Sequence, residues 1–315
     1  MIVNVKDKGQ VNLPDFMIVG AAKCGTTSLY HYLRQHPDIY MPNSKEPDFF
    51  THMGINPYEC ANPPARGDII WRFEDYVALF NESGSGQMIG EASVSYLFNH
   101  EVSIKNIKAI YGEKSKDIKI IIMLRNPAER VFSHYNFMVK VGKEHLSFQE
   151  AIESRVLEER KKRGQSFTAY IDYSMYYHQL KSYMDEFPNL KVYLFDELKD
   201  SDRLASEIFE FLGVDKDVRV KTDVKTNPSG VPRNRFLTRL LIKRGPIKMF
   251  LKRNIPPSST LKLIALREWI LRGLLRKSKL PEKTRAELTE FFSEDLKKVE
   301  KLIGRDLSHW MGSKK

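Results

Sequence analysis

Three strand-to-helix units predict an α/β fold, a three-layer arrangement with a central parallel sheet flanked by helices. The first is Phe16-Met-Ile-Val-Gly20, an apolar run that ends in glycine and enters a helix through AAKCGTTS. The second is Asp117–Leu124 (DIKIIIML), followed by a helical pattern over Ala128–Val139 with Pro127 near its first turn. The third is Lys191–Phe195 (KVYLF), followed by Leu204–Leu212 and a stop at Gly213. Continuous apolar runs of this length suit parallel strands buried on both faces.

The remaining elements follow in chain order. The first helix is predicted over Thr27–Gln35 and closes at His36-Pro37, because the residue before proline is pushed out of the α region. Between Pro42 and Gln87, short pieces containing Pro and Gly predict an irregular lobe over the sheet. Ser147–Arg163 and Ser174–Phe187 are predicted as further helices, the first heavily charged. No internal repeat or low-complexity tract is visible. The expected division is an α/β domain over residues 1–237, with a basic helical region over 238–315 packed on the same domain.

Composition narrows the class. The chain has 315 residues, 42% apolar and 29% charged, which excludes a disordered or fibrous chain. Two cysteines, Cys24 and Cys60, exclude a disulfide framework and suggest a reducing compartment. No stretch reaches the roughly 18 consecutive apolar residues of a membrane span. The first residues lack the apolar core of a secretory signal. A soluble cytoplasmic protein is the expectation.

The charge is unevenly placed. Of a formal net charge of +11, residues 233–285 carry 16 Lys/Arg against two acids, a local excess of +14. Such a field favours an anionic partner: a polyanionic acceptor or an anionic membrane touched peripherally. LLIKRGPIKMFLKR and LKLIALREWILRGLLRK have the basic, amphipathic pattern of surface-associating helices. Solvated helix faces are the plainer reading. No nucleic-acid partner is expected, because no zinc-finger spacing, RNP-like string or basic zipper accompanies the charge.

The most informative string is FMIVGAAKCGTTSLYHYL. A strand that leads through small residues into a helix makes an anion site, because the free N–H groups and the dipole point the same way. Gly20 and Gly25 allow close backbone approach, Lys23 adds a mobile charge, and Thr26, Thr27 and Ser28 add hydroxyls. The order is not GxxxxGK[ST]: here the lysine precedes the second glycine and threonine follows it.

GAAKCGTTSLYHYLRQHP resembles the 5′-phosphosulfate loop of the sulfotransferases that use 3′-phosphoadenylyl sulfate (PAPS), a family of P-loop-like fold. The resemblance implies that Lys23, Cys24, Gly25, Thr26, Thr27 and Ser28 hold the donor. It also implies that Lys23 touches the oxygen bridging phosphorus and sulfur. A cation there stabilises charge that develops only in the transition state. IIIMLRNPAERVFSHYNF is similar to the family's 3′-phosphate segment and implies Arg125 and Ser133 as that phosphate's ligands. Eight positions, about two helical turns, separate them. Arg130, taken by itself, reads as a solvated helix residue.

NSKEPDFF (Asn43–Phe50) resembles the KExHFF segment of the heparan-sulfate-type branch and its bacterial relatives, which implies Glu46 as the general base with Lys45 beside it. Asp48 stands where that segment has histidine. GEASVSYLF (Gly90–Phe98) resembles GEKSPxYF, which implies Glu91, Ser93 and Tyr96 on the acceptor side. Ala92 replaces the lysine that binds sulfated sugar, so a heparan acceptor is not implied. His52 and His134 are reserve candidates for the base. TNPSGVPRNRFL resembles the late loop of bacterial members and implies Arg233 on the 3′ side.

The expected reaction is sulfuryl transfer from PAPS to an acceptor hydroxyl or amine on a carbohydrate, lipid or other small molecule, with no metal required. Two other readings stay open: a phosphotransferase using Mg-ATP, and a non-catalytic protein that binds a nucleotide or an anionic glycan.

Overall fold

The computed structural model describes residues 1–59, 67–222 and 278–312, together with the backbone of two short strands, Val231–Pro232 and Leu275–Arg276. The chain divides into two compact units. One comprises Met1–Arg130, Ile171–Thr226 and Glu287–Lys315; the other comprises Val131–Tyr170 and Asn227–Ala286. The boundary expected at 237/238 lies outside the described residues, as do the two basic amphipathic strings apart from Leu275–Arg276, which are strand and not helix.

The first unit opens with a hairpin, β1 (Ile2–Val5) against β2 (Gly9–Asn12). Its sheet is then built from β3 (Phe16–Gly20), β4 (Ile39–Tyr40), β5 (Met88–Ala92), β6 (Lys119–Leu124) and β7 (Leu190–Leu194), in the order β4-β5-β3-β6-β7. Every neighbouring pair in that sheet is parallel, as the alternating pattern predicted. Every residue of β3 and five of the six in β6 are buried, as expected of apolar strands covered on both faces.

Helix α1 (Thr26–Leu33) returns the chain from β3 to β4. Short helices α2 (Phe49–His52) and α3 (Phe73–Ala78) lie in the predicted irregular lobe. After β5 come α4 (Ser95–Phe98) and α5 (His100–Tyr111), which reach β6 on the other side of β3. Helix α6 (Pro127–Lys140) begins with proline in its first position. The Asn126 side chain accepts the Glu129 N–H at 3.2 Å, so α6 enters with an ordinary N-terminal cap.

The charged stretch predicted as one helix over Ser147–Arg163 is two. A capping box between Ser147 and Glu150 starts α7 (Phe148–Ala151), and Ile152 and Glu153 leave helical geometry before α8 (Ser154–Lys162). Neither Pro nor Gly marks this break, so periodicity alone ran the two together. Helix α9 (Tyr176–Glu186) starts two residues later than predicted, after a short turn over Asp172–Ser174. Helix α10 (Ser201–Leu212) starts earlier, capped by Asp200, and ends at Gly213 with φ 81°. Helix α11 (Glu282–Ile303) follows, and a short helical turn over Ser308–Trp310 comes after it. No described helix is long and apolar enough to cross a membrane.

The second unit holds a polar knot of its own. Glu144 is 3% exposed; it accepts two bonds from Arg160, at 2.7 and 2.9 Å, and one from the Tyr170 hydroxyl at 2.7 Å. This bidentate geometry holds its carboxyl below the usual range despite burial.

Candidate active site

The chain leaves β3 toward β4 on one side and leaves β6 toward β7 on the other. The ends of β3 and β6 therefore flank a topological switch point, where open α/β sheets leave a crevice for ligands. The β3–α1 turn and Arg125 both sit at those ends.

Local geometry in the turn suits an anion. Lys23 has φ 70° and Gly25 φ 90°, so two left-handed residues bend the chain within three positions. Gly25 is the cap of α1 and has no side chain to satisfy the helix's leading N–H groups. A Cβ at Gly25 would meet the strained φ and run into Leu198. The Ala21 N–H donates to Met123 on β6 at 2.8 Å, which ties the turn to the neighbouring strand.

The turn has an outer and an inner face. Lys23, Thr27 and Ser28 are half-exposed, whereas Cys24 is fully buried and Thr26 is 4% exposed. Cys24 was expected among the donor ligands; its thiol instead faces the core, 3.8 Å from the Tyr176 hydroxyl. Burial pushes the thiol's pKa up, so it stays protonated. What Cys24 can offer a ligand is backbone.

Arg125 lies at the end of β6 with its guanidinium 4.5 Å above the Phe195 ring and 3.4 Å from Glu129. It is partly exposed. Ser133 is half-buried on α6 and belongs to the second unit. Arg233 lies outside the described residues.

Arg130 is a correction. Read as solvated, it is instead 0% exposed. It donates from Nε to Ser174 at 2.5 Å and from one terminal nitrogen to the Ala22 carbonyl in the turn at 3.3 Å. Burial lowers its pKa from the ordinary guanidinium value. A cation beneath the turn strengthens the local positive field.

Sequence reasoning also missed Tyr176. Its hydroxyl donates to the Arg125 carbonyl at 3.0 Å while touching Cys24, so one phenol holds both strand ends. The C-terminal residues join this support. Asp295 accepts the Tyr176 N–H at 2.9 Å, Asn126 donates to the Trp310 carbonyl at 3.2 Å, and Trp310 donates to Asp196 at 3.0 Å. Nothing in the local pattern of α11 marks these contacts.

The segment with Glu46 forms a strap over the end of β5. Tyr30 on α1 donates to the Pro42 carbonyl at 2.6 Å, and Arg34 donates to Asn43. The Glu46 N–H donates to the Ala92 carbonyl at 2.9 Å, and the Asp48 N–H to Ser93 Oγ at 3.0 Å. Glu46 and Asp48 take φ 62° and 55°, costly for residues with a Cβ. Lys45 pairs with the Glu46 carboxylate, whose side chain is 30% exposed. Asp48 is 7% exposed and accepts Ser95 Oγ at 2.6 Å.

Glu91 and Ser93 were expected to meet the acceptor. The structure corrects this: they are 0% and 1% exposed, tucked behind the strap. Glu91 accepts from Tyr76 at 2.8 Å, from Tyr96 at 3.2 Å and from Ser93. Burial pushes its carboxyl up to about 7, against the pull of those three donors. Tyr96 is buried with it. Of the reserve bases, His52 ends α2 half-exposed, and His134 is buried in the second unit edge-on to Tyr170.

Among the described residues, no group of three or more His, Cys, Asp or Glu side chains is placed to hold a metal.

A family model described as "Sulfotransferase domain" matches residues 13–227. A solved sulfotransferase from Alicyclobacillus acidocaldarius is 31% identical, with TM-score 0.68, over 95% of this chain and 99% of that one. Carbohydrate sulfotransferase 15 of Mus musculus is 28% identical over 177 residues, 44% of this chain and 30% of that protein. Membrane-associated sulfotransferase kil1 of Dictyostelium discoideum is 32% identical over 135 residues, 43% of this chain and 25% of that protein. Heparan sulfate glucosamine 3-O-sulfotransferase 3A1 of Mus musculus is 32% identical over 132 residues, 41% of this chain and 28% of that protein. The chain thus spans between a quarter and a third of the length of these curated relatives.

Proposed function

The chain belongs to the sulfotransferase-domain family, and on that premise we propose that it transfers a sulfuryl group from PAPS to an acceptor hydroxyl or amine. The other product is adenosine 3′,5′-bisphosphate. One observation carries the reading: the β3–α1 turn, with Lys23 and an uncapped helix start, lies at the switch point beside Arg125. An anionic phosphosulfate fits that chemistry, since amides, dipole and lysine all favour negative charge.

When bound, PAPS supplies the sulfuryl group; the chain supplies position and charge. Glu46 takes the proton from the acceptor oxygen or nitrogen as that atom bonds to sulfur. Lys23 and the first amides of α1 take up the charge left when the sulfur–oxygen bridge breaks. Arg125 and Ser133 hold the 3′-phosphate, Arg125 through its planar donors. Lys45 and Asp48 border the acceptor, with Lys45 also paired to the Glu46 carboxylate. A phosphotransferase is set aside, because the lysine here precedes the second glycine and the family model is that of sulfotransferases.

The names of the relatives support a carbohydrate acceptor, with a lipid or other small molecule as further classes to assay. Residues 233–285 would add peripheral contact with an anionic membrane, consistent with their excess of +14. Sedimentation with anionic liposomes at low salt tests that contact; a protein that stays in the supernatant refutes it.

Calorimetric titration with adenosine 3′,5′-bisphosphate and with Mg-ATP tests the site, and radiolabelled PAPS with a panel of pyranosides, phenols and amines tests transfer. Tight binding of the bisphosphate and label on an acceptor are expected. Binding of Mg-ATP alone, or transfer to no acceptor, overturns the proposal.

A further inference from the structure

Glu91 is a buried carboxylate that no step above uses, and it touches the strap through two separate relays. In the first, its Oε1 accepts the Ser93 hydroxyl, and Ser93 Oγ accepts the Asp48 N–H at 3.0 Å. In the second, its Oε2 accepts the Tyr96 hydroxyl at 3.2 Å, and that hydroxyl accepts the Phe50 N–H at 3.2 Å. Tyr76 closes the set at 2.8 Å. Both relays end on backbone amides of the segment in which Glu46 and Asp48 hold positive φ. Residues in sparsely populated backbone regions persist only where their surroundings over-determine them. The Glu46 N–H bond to Ala92 anchors the segment at one point, and the two relays anchor it at two more.

We propose that Glu91 is a positioning residue: through Ser93 and Tyr96 it fixes the strap that presents Glu46 to the acceptor. The inference rests on Glu46 being the base. The reason for a carboxylate at this place is its chemistry, since when ionised it is acceptor-only and can take all three hydroxyl donors at once. The Ser93 and Tyr96 hydroxyls, donating to Glu91, each turn their oxygen toward an amide of the strap. An amide at position 91 would turn its NH₂ on one of these donors and reverse a relay. The groups facing Glu91 from the packed elements are Tyr76 of α3, Tyr96 of α4, Tyr111 of α5, Tyr183 of α9 and Asp48 of the strap. Burial pushes all four phenols up, so they remain neutral donors. Asp48 is the acidic neighbour and, like burial, favours the protonated form of Glu91. Strap order should therefore strengthen as pH rises through about 7.

The test is hydrogen exchange with mass spectrometry on the full chain, comparing wild type with Glu91→Gln, Ser93→Ala and Tyr96→Phe. Peptides covering residues 43–52 should lose protection by about tenfold or more, while those covering β3 and β6 keep theirs. Affinity for adenosine 3′,5′-bisphosphate should stay within about twofold. Turnover with the acceptor found in the panel should fall by about ten- to a hundredfold at unchanged acceptor KM. In a Glu46→Gln background, Glu91→Gln should cost nothing further, because the group being positioned is already gone. Unchanged strap protection in all three variants overturns the inference, as does an undiminished penalty in the Glu46→Gln background. If Glu91→Gln unfolds the sheet, Ser93→Ala and Tyr96→Phe alone decide, because they cut the relays and leave the carboxylate. A fully active Glu46→Gln single variant instead overturns the base assignment, a separate failure.

Discussion

Asp295 accepts the backbone N–H of Tyr176 at 2.9 Å and so caps α9 from 119 residues further along the chain. The Tyr177 N–H lies within 3.3 Å of the same carboxylate. A helix start is thereby satisfied by a distant residue, and the capped residue is the one whose phenol joins Cys24 to the Arg125 carbonyl. Losing a helix cap costs about 1 kcal/mol, and more where amides are left buried. Asp295→Ala should lower the melting temperature and weaken binding of adenosine 3′,5′-bisphosphate; Asp295→Asn, which also caps, should recover most of both. Thermal unfolding and titration of the three proteins decide it.

Lys23 and Glu46 are assigned to opposite ends of the transferred group. Removing a charge that acts at the leaving oxygen, or a general base, costs on the order of 10²–10⁴ in rate. Lys23→Ala and Glu46→Gln should each lower turnover within that range, read from release of adenosine 3′,5′-bisphosphate. Unchanged turnover in Glu46→Gln would return His52 to consideration, since it lies close by in sequence.

The two arginines should separate by experiment. Arg125 is partly exposed and assigned to the 3′-phosphate, where a hydrogen bond to a charged group contributes about 1.5–3 kcal/mol. Arg125→Ala should weaken bisphosphate binding about ten- to a hundredfold and leave the melting temperature nearly unchanged. Arg130 is fully buried and bonds to Ser174 and Ala22. Arg130→Ala should instead lower the melting temperature first, because it leaves those partners and a cavity behind.

Glu91 should make stability depend on pH. Its ordinary value is 4.5 and its folded value about 7. Between those values the unfolded chain loses the proton while the folded chain keeps it. Stability is therefore full below about pH 4.5, falls as pH rises through about 7, and levels off above. The fall should be on the order of 3 kcal/mol, and Glu91→Gln should abolish it. Urea unfolding at a series of pH values measures both. Function and stability thus pull in opposite directions here: ionisation completes the relays but costs the fold free energy.

Much of this was readable in the sequence. The strands β3, β6 and β7, the helices that follow them and the parallel sheet were all predicted from apolar runs and turn residues. β4 and β5 were not, because IY is too short and MIGEA carries a glycine and a glutamate where an apolar run would be. That glycine, Gly90, is there because a Cβ would collide with Phe16 and Met41. The glutamate is Glu91, which reads as an exposed acceptor residue until three hydroxyls are seen around it.

The division has a physical basis. Burial on both faces and turn-forming residues are local demands, so residue order alone determined the strand–turn–helix units and the place of Lys23 in the turn that leads into α1. Which charges are sheltered depends on what comes to lie against them from far along the chain. Tertiary structure alone decided that Arg130 sits beneath the turn, that Asp295 caps α9, and that Glu91 faces the strap instead of solvent.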